Sequence, residues 1–377
     1  MKAIPFGKPI INQSVVSKIK KILVSGQLVH GKYQKRFEKI FKIQNGSSFV
    51  TTVANCTSGM LLYYMCKNLN KGDEIIVPAT THVATAHAIE ATGAKPIFVD
   101  VNISNGCIDL EKAKKKISPK TKGIVVVHYL GFPVDIEKLY YFKKKGLFVV
   151  EDCALAIGSS YNGIKVGNFG DFASFSFYPV KHITTGEGGM IVSNNKKDFE
   201  RVLSLKSFGY FHRKGLKKER YNYDVKDCGL NFRLNEISCC IGESQLKDFE
   251  IIRKIRKKNY NLMRKKFLSL PEITIMEEKD KKYKPNYYAF SVTLKNNHNR
   301  NEFIQKLKQE GIGTSVYYPK PLPEMLYYKE KYKIKEKFIN SKIISYNSFV
   351  LPIGQHIKIG DIEYIYRKFK KIIYETK

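Results

Sequence analysis

One lysine, Lys181, stands in a segment whose residue types could support amine chemistry. The segment runs from Phe175 to Gly189 and combines aromatic residues, two threonines and a Gly-Glu-Gly-Gly turn. Lysine is ordinarily a surface residue, and this chain has many of them. Burial lowers the pKa of a lysine below its usual value of about 10.4 and favours the neutral amine that condenses with an aldehyde. We therefore interpret Lys181 as a candidate nucleophile.

Two acids, Glu151 and Asp152, come at the end of another strand-like run and are followed by small residues. A carboxylate in this place can pair with the protonated ring nitrogen of a bound cofactor and keep the ring electron-withdrawing. The alternative is a helix N-cap, a position that aspartate favours. The residues alone leave both interpretations of Asp152 open.

The run from Ala54 to Gly59 lies between a predicted strand and a predicted helix. Backbone N–H groups at a helix start, together with the hydroxyl of Thr57, suit a phosphate group. The Gly-x-x-x-x-Gly-Lys pattern of a P-loop is absent. Ordinary helix capping by threonine or serine is the alternative, so this segment is weak when taken alone.

Short β-branched runs alternate with helical stretches from about residue 48 to residue 193, and each of the three segments follows such a run. The predicted strands are 48–54, 74–77, 96–99, 123–129, 147–151, 171–177 and 190–193. The predicted helices between them are 58–67, 82–92, 110–117 and 135–145. This alternation predicts βαβ units around a mostly parallel sheet, in which ligands gather at the carboxyl ends of strands.

The C-terminal part of the sequence predicts a smaller α/β unit. A long helical pattern begins near Leu234 and continues to Ile252. It is followed by a predicted strand, helix, strand and helix at 288–294, 301–309, 314–318 and 361–374. We therefore predict a large domain at 1–250, whose N-terminal segment packs elsewhere, and a small domain at 251–377, with a long helix that bridges both.

The chain is strongly basic, with a formal net charge of +32. Such a chain could bind nucleic acid or an anionic substrate. The basic residues are spread along the sequence and no nucleic-acid-binding signature is present, so we predict solvated lysine-rich faces and no nucleic-acid partner. The seven cysteines include no Cys-x-x-Cys pair, which favours reduced thiols. Without a membrane-length apolar run or a signal-peptide core, we expect a cytoplasmic protein.

Nearly the whole chain resembles the DegT/DnrJ/EryC1/StrS family of sugar aminotransferases. The lysine segment carries the most specific part of the resemblance, and further matches occur in the same order at 77–86, 127–135, 229–234 and 311–314. The resemblance implies an aspartate-aminotransferase-type α/β fold (fold type I), with a mostly parallel large domain and a small C-terminal α/β domain. It also implies pyridoxal 5′-phosphate as the cofactor, and no metal.

The resemblance implies a role for each residue of the three segments. Lys181 would hold the cofactor covalently and move a proton between cofactor and substrate carbons. Asp152 would pair with the pyridine nitrogen. The cofactor phosphate would be held by the backbone of Cys56, the hydroxyl of Thr57 and Ser176, five residues before the lysine.

Three further residues take roles from the resemblance alone. Asn231 would reach the phosphate of the neighbouring subunit's cofactor, which makes a homodimer with shared active sites the expected working unit. Glu187 and Tyr317 fall in segments that line the sugar site in the family.

The chain departs from the family pattern at two positions near the cofactor. Leu155 stands where the family often has glutamine, so one polar contact near the ring is missing or supplied by another residue. His82 stands where many members place an aromatic residue against the pyridine face. The resemblance implies that the imidazole stacks there, and the alternative is a helix-start histidine without a ligand.

The implied activity moves an amino group, with glutamate as the expected donor, to a keto sugar. The expected acceptor is a nucleotide-linked 4-keto-6-deoxyhexose; a 3-keto sugar or an oxidised sugar acid are alternatives. One branch of the family replaces the lysine with histidine and removes a sugar hydroxyl. Here Lys181 precedes His182, and the spacing from Ser176 favours amine transfer, with His182 as a structural residue. A dehydratase and a regulatory or nucleic-acid-binding relative are the remaining alternatives.

Overall fold

The computed structural model describes residues 3–211, 223–295 and 299–375. The α-helices are α1 (Ser14–Ser25), α2 (Lys32–Asn45), α3 (Cys56–Cys66), α4 (Val83–Glu90), α5 (Leu110–Lys114), α6 (Ile136–Lys144), α7 (Lys196–Leu205), α8 (Glu236–Lys247), α9 (Phe249–Phe267), α10 (Arg300–Gln309), α11 (Leu326–Tyr332), α12 (Ile339–Asn347) and α13 (Ile359–Glu375). None of these described helices has an apolar stretch long enough to cross a membrane.

The strands vary from two to seven residues in length. They are β1 (Phe49–Val53), β2 (Glu74–Pro78), β3 (Lys95–Val99), β4 (Thr121–Val127), β5 (Phe148–Asp152), β6 (Ser160–Tyr161), β7 (Ile164–Lys165), β8 (Phe172–Ser176), β9 (Gly189–Ser193), β10 (Tyr210–Phe211), β11 (Asp224–Val225), β12 (Ile273–Ile275), β13 (Tyr283–Lys284), β14 (Phe290–Leu294) and β15 (Ser348–Leu351).

Seven strands form the main sheet, in the order β1-β9-β8-β5-β4-β2-β3. Strand β9 is antiparallel to both of its neighbours, and every other neighbouring pair is parallel. This arrangement confirms the predicted mostly parallel sheet. Because β1, β5 and β8 all point the same way, the residues that follow them meet at one edge of the sheet.

Helices cover both faces of the main sheet, which explains why its central strands are continuous apolar runs. On one face α3 packs against β8, with the Tyr63 and Phe172 rings stacked 4.4 Å apart between centroids. On the other face α2 places Phe41 edge-on to Phe175 at 5.0 Å. This packing fixes the position of α3 along the strands, relative to the ends of β5 and β8.

The C-terminal unit has its own antiparallel sheet, in the order β12-β14-β15. Phe267, Phe290 and Phe369 lie in one hydrophobic cluster that joins this sheet to α9 and α13. The N-terminal segment packs on the same unit, since the Ile4 N–H donates to the Gly311 carbonyl at 2.8 Å. We retain the division near residue 250 as a proposal supported by this separate cluster.

Two predictions for the C-terminal half are wrong. The single long helix is two helices, because Asp248 forms a tight turn in which its N–H donates to the Gln245 carbonyl at 3.2 Å. The strand predicted at 314–318 is a loop that makes one isolated bridge, from Ser315 to Val350. Tertiary contacts decide the second case: this loop places Tyr317 at a cavity, and β12 and β15 are the strands that flank β14.

Candidate active site

A cavity of about 890 Å³ lies where the chain leaves β1, β5 and β8. All the predicted site residues except Asn231 line it, namely Cys56, Thr57, His82, Asp152, Ser176, Lys181, Glu187 and Tyr317. The N-terminal segment contributes Phe6, and the 315–318 loop forms part of the wall. Sequence segments more than 300 residues apart thus converge on one site.

Lys181 follows β8 in a turn in which its N–H donates to the Tyr178 carbonyl at 2.9 Å. Its Nζ lies 5.7 Å from the centroid of the Tyr288 ring and makes no hydrogen bond or ion pair with the described residues. Burial of the amine lowers the pKa of Lys181 below its ordinary 10.5, although Cys56 and Asp152 act in the opposite direction. The amine is therefore unbonded, more often neutral than a surface lysine, and faces open space.

Asp152 ends β5 with both carboxylate oxygens held. Its Oδ1 accepts from the Ala154 N–H at 3.0 Å, and its Oδ2 accepts from the Thr85 hydroxyl at 2.8 Å. The Thr81 and Thr85 hydroxyls are themselves 2.8 Å apart. Turns rather than an α-helix follow Asp152, so the N-cap interpretation is wrong. The chain instead fixes a carboxylate at the cavity wall.

Thr85 is a site residue that the sequence did not reveal. It lies in α4, and its hydroxyl contacts Asp152 across 67 positions of sequence. Thr81 precedes the helix and its hydroxyl lies 2.8 Å from that of Thr85, so the four-residue spacing of the two threonines is the one local signal in this segment. A partner so distant in sequence becomes visible only when α4 packs beside β5.

The start of α3 forms a second wall of the cavity. Asn55, rather than Thr57, caps this helix, because its Oδ1 accepts from the Ser58 N–H at 2.8 Å. Cys56 and Thr57 occupy the first turn, where backbone N–H groups lack acceptors within the helix and favour an anion. A Cβ at Gly189 would lie 3.0 Å from the Cys56 nitrogen, so only glycine lets β9 approach this turn so closely.

Aromatic residues form the wall opposite the sheet. Tyr317 is 8% exposed, and its hydroxyl lies 2.7 Å from that of Tyr288. Tyr318 meets the His82 ring edge-on at a centroid distance of 5.4 Å. The Nδ1 of His82 accepts from the Ala84 N–H at 3.2 Å, and burial lowers the pKa of this imidazole. His82 therefore caps α4 and borders the cavity at the same time.

The remaining predicted residues occupy different depths. Glu187 is exposed and lies at the cavity surface. Leu155 is buried and presents an apolar side chain to the cavity. Asn231 is exposed and forms a single bridge with Ser207, while its neighbour Phe232 lines the cavity. Asn231 is thus not part of the cavity of its own chain.

His182 points away from the cavity. Its Nε2 lies 2.9 Å from the Asn286 carbonyl oxygen, and only 3% of the residue is exposed. Burial, with the charge of Arg256 second, holds the pKa of His182 well below 6.5. This geometry supports Lys181 as the reactive residue of the pair and a structural role for His182.

Pyridoxal 5′-phosphate fits this donor set on structural grounds. The cavity offers an amine without a hydrogen bond, a fixed carboxylate for a ring nitrogen and the first turn of α3 for a phosphate. The apolar side chains of Leu155 and Phe232 also line the cavity.

Comparison with known proteins extends these observations. The sequence profile of the DegT/DnrJ/EryC1/StrS aminotransferase family matches residues 9–370. GDP-perosamine synthase of Escherichia coli O157:H7 is 36% identical, over 88% of this chain and 89% of its own. The spore coat polysaccharide biosynthesis protein SpsC of Bacillus subtilis is 30% identical, over 98% of this chain and 97% of its own.

A solved structure shows the same architecture. The aminotransferase PseC of Helicobacter pylori, described as involved in the biosynthesis of pseudoaminic acid, superposes with a TM-score of 0.91. It is 27% identical, and the match covers 99% of this chain and 100% of that one. The predicted fold class and cofactor are confirmed. The chain therefore belongs to the DegT/DnrJ/EryC1/StrS aminotransferase family and is a pyridoxal-phosphate-dependent sugar aminotransferase.

Proposed function

We propose that this enzyme transfers an amino group from glutamate to a nucleotide-linked 4-keto-6-deoxyhexose. The product would be an amino sugar for surface polysaccharide or for a secondary metabolite. A relative named as GDP-perosamine synthase supports a nucleotide-linked substrate, and the name of SpsC supports a role in polysaccharide synthesis. Glutamate as donor rests on the family resemblance.

The observation that carries this proposal is the unbonded amine of Lys181 in the cavity that also holds Asp152. Bound pyridoxal phosphate supplies an electron sink for the carbon that carries the migrating amine. Lys181 is proposed to hold the cofactor, then to take a proton from the donor carbon and deliver one to the sugar carbon. Burial lowers its pKa and so raises the fraction of neutral amine, the form that accepts a proton.

Other residues of the cavity are proposed to hold the cofactor in place. Asp152 keeps a proton on the ring nitrogen, and Thr85 fixes the direction of its carboxylate through the 2.8 Å hydrogen bond. The first turn of α3, with Cys56 and Thr57, binds the phosphate together with Ser176. The His82 ring lies against the face of the cofactor ring.

We further propose a homodimer with shared active sites. Asn231 is exposed and lies outside the cavity of its own chain, next to Phe232, which lines that cavity. These positions suit a residue that reaches the phosphate of the neighbouring subunit's cofactor. Glu187 and Tyr317 are proposed to contact the sugar. None of the seven cysteines is in a disulfide, which supports our proposal of a cytoplasmic protein.

Absorption spectra and borohydride reduction test the proposal directly. The purified protein with pyridoxal phosphate should form a bond that borohydride fixes at Lys181, as a peptide map would show. Glutamate should then convert the cofactor to its amine form, and a panel of nucleotide-linked 4-keto and 3-keto sugars should restore it. A protein that never forms the reducible bond would contradict the proposed role of Lys181. If none of the keto sugars returned the amine form of the cofactor to pyridoxal phosphate, the proposed acceptor would be contradicted.

A further inference from the structure

A second pocket, of about 360 Å³, lies between α2, β1 and α7. Of the described residues that line it, three are basic, namely His30, Lys206 and Arg233, and one is acidic, Glu38. None of the residues predicted for the active site belongs to it. Its charge pattern therefore needs an explanation of its own.

Lys206 is the deepest of these basic residues, with 5% of its surface exposed. Its Nζ donates to the Thr51 hydroxyl at 2.6 Å and to the Thr52 carbonyl at 2.9 Å. An ammonium group has three N–H donors, so one is left for a ligand. Burial lowers the pKa of Lys206, the carboxylate of Glu38 acts in the opposite direction, and the charge of Arg233 acts with burial.

Glu38 offsets one positive charge of the pocket, and hydrogen bonds from β1 hold its carboxylate in place. Its Oε1 accepts from the Thr52 N–H at 2.8 Å, from the Thr52 hydroxyl at 2.9 Å and from the Thr51 hydroxyl at 3.1 Å. It also accepts from the Gln34 amide at 3.0 Å. The Lys206 and Arg233 charges thus exceed the single negative charge in the wall.

Arg233 is the most available of the cations. Its guanidinium lies 5.1 Å from the Phe208 ring centroid and has no acidic partner among the described residues. Burial lowers the pKa of His30, and the charges of Arg233 and Lys206 lower it further. Among the described lining residues the positive charges of Lys206 and Arg233 outnumber the single negative charge of Glu38, so an anion in the shared space would be favourable.

We propose that this pocket is an anion site that binds a phosphate or diphosphate group. A guanidinium fork and an ammonium donor match the oxygens of such a group. Two sources carry this chemistry: a free phosphate compound, or the diphosphate of the nucleotide sugar. The second source rests on the proposed function.

The main cavity gives a reason to expect such a site. Among the described residues that line it, the basic side chains are those of Lys181 and His82, and Lys181 is assigned to the cofactor. The described part of one subunit therefore offers a nucleotide diphosphate no second lysine and no arginine in this cavity. Phe232 lines the main cavity and the next residue, Arg233, lines the second pocket, so the two spaces are neighbours at this backbone segment.

Calorimetric titration of the cofactor-loaded enzyme with inorganic pyrophosphate tests the site. Loading the cofactor first fills the phosphate position at α3, so that it cannot bind the probe. We expect binding that weakens about tenfold in Arg233→Met and is largely retained in Arg233→Lys. Arg253→Met is the matched control: this arginine is partly exposed, pairs with Glu250 and lies outside the pocket, so the variant should bind like the natural protein. Equal affinity in natural protein and Arg233→Met would overturn the proposal, as would the absence of binding.

His30→Gln provides a second variant in case Arg233→Met fails to fold, and it should weaken pyrophosphate binding by a smaller factor.

The KM for the nucleotide sugar separates the two sources. A KM about tenfold higher in Arg233→Met, with an unchanged glutamate half-reaction, would identify the substrate's diphosphate. An unchanged KM with weaker pyrophosphate binding would identify a free phosphate compound. Pyrophosphate binding needs no amine transfer, so failure of the proposed function leaves this result intact.

Discussion

Lys181 and Lys206 differ in chemistry although burial lowers the pKa of both. The Nζ of Lys181 makes no hydrogen bond or ion pair with the described residues and faces a cavity of about 890 Å³. The Nζ of Lys206 donates two hydrogen bonds and lies in a pocket of about 360 Å³. Burial alone therefore does not create a reactive lysine; the amine must also be unbonded and have room for a second molecule.

The elements that carry the two lysines account for this difference. Lys181 lies in a turn after β8, at the edge of the sheet where β1 and β5 also end. Lys206 ends α7 and reaches β1, an edge strand of the main sheet, through the Thr52 carbonyl. The first lysine is placed for a ligand, whereas the second stabilises an edge strand and leaves one donor for an anion.

The strongest test of this contrast removes each amine in turn. We expect Lys181→Ala to lose the borohydride-reducible bond to the cofactor and about 100- to 10,000-fold in amine transfer, or more, because proton transfer is lost as well. Lys206→Met should keep the reducible bond. Peptide mapping after reduction, together with initial rates, measures both results; a reduced cofactor attached to Lys206 would contradict the comparison.

For the free energy of unfolding, we expect the larger effect from Lys206→Met and the smaller one from Lys181→Ala. Lys206→Met leaves the Thr52 carbonyl without its donor in a buried place, so we expect its free energy of unfolding to fall by about 1–3 kcal/mol. Lys181→Ala removes an amine that has no hydrogen bond to lose, so the cofactor-free variant should unfold at least as late as the natural protein. Denaturant titrations of cofactor-free proteins would measure this difference.

The next largest effect is expected from Asp152→Asn. An amide keeps the size of the side chain but cannot balance a protonated ring nitrogen, so the glutamate half-reaction should slow by roughly 100-fold or more. The reducible bond at Lys181 should remain. Single-turnover absorbance measures the rate. Asp109→Asn at the N-cap of α5 is the matched control, since asparagine also caps helices, and a similar loss there would argue against a specific role for Asp152.

The elements around Lys181 could be predicted from the sequence because their signals are local. Strands such as β4 and β5 are apolar β-branched runs between helical patterns, and Asp152 and Lys181 follow such runs directly. Thr85 and the pocket of Lys206 could not be predicted, because each depends on segments that meet only after packing. The break at Asp248 was hidden for a related reason: α8 and α9 are both apolar at helical spacing.

A smaller effect should appear when the two amines compete for a neutral acylating reagent at rising pH. Only the neutral amine reacts, and its fraction grows as the pH rises through the pKa, which burial lowers for both lysines. Lys206 must also release its two hydrogen bonds, so in cofactor-free protein Lys181 should react roughly tenfold faster. Mass spectrometry of the peptides gives both rates. Equal acylation rates of the two lysines, or no protection of Lys181 by pyridoxal phosphate, would contradict the proposed difference between Lys181 and Lys206.

The smallest expected effect concerns Thr85, whose hydroxyl holds the carboxylate of Asp152 in the cavity of Lys181. The pocket of Lys206 contains no such arrangement among its described residues. Thr85→Val keeps the shape of the side chain but removes the hydrogen bond to Asp152, and a hydrogen bond to a charged group contributes about 1.5–3 kcal/mol. We expect pyridoxal phosphate to bind roughly tenfold more weakly and the pH dependence of its absorbance to shift. Thr85→Ser retains the hydroxyl and should restore both the affinity for pyridoxal phosphate and the pH dependence of its absorbance. If Thr85 acted only through the packing of its methyl group, Thr85→Ser would fail to restore them. Identical affinities in the natural protein and Thr85→Val would show that Asp152 holds its direction without this hydroxyl.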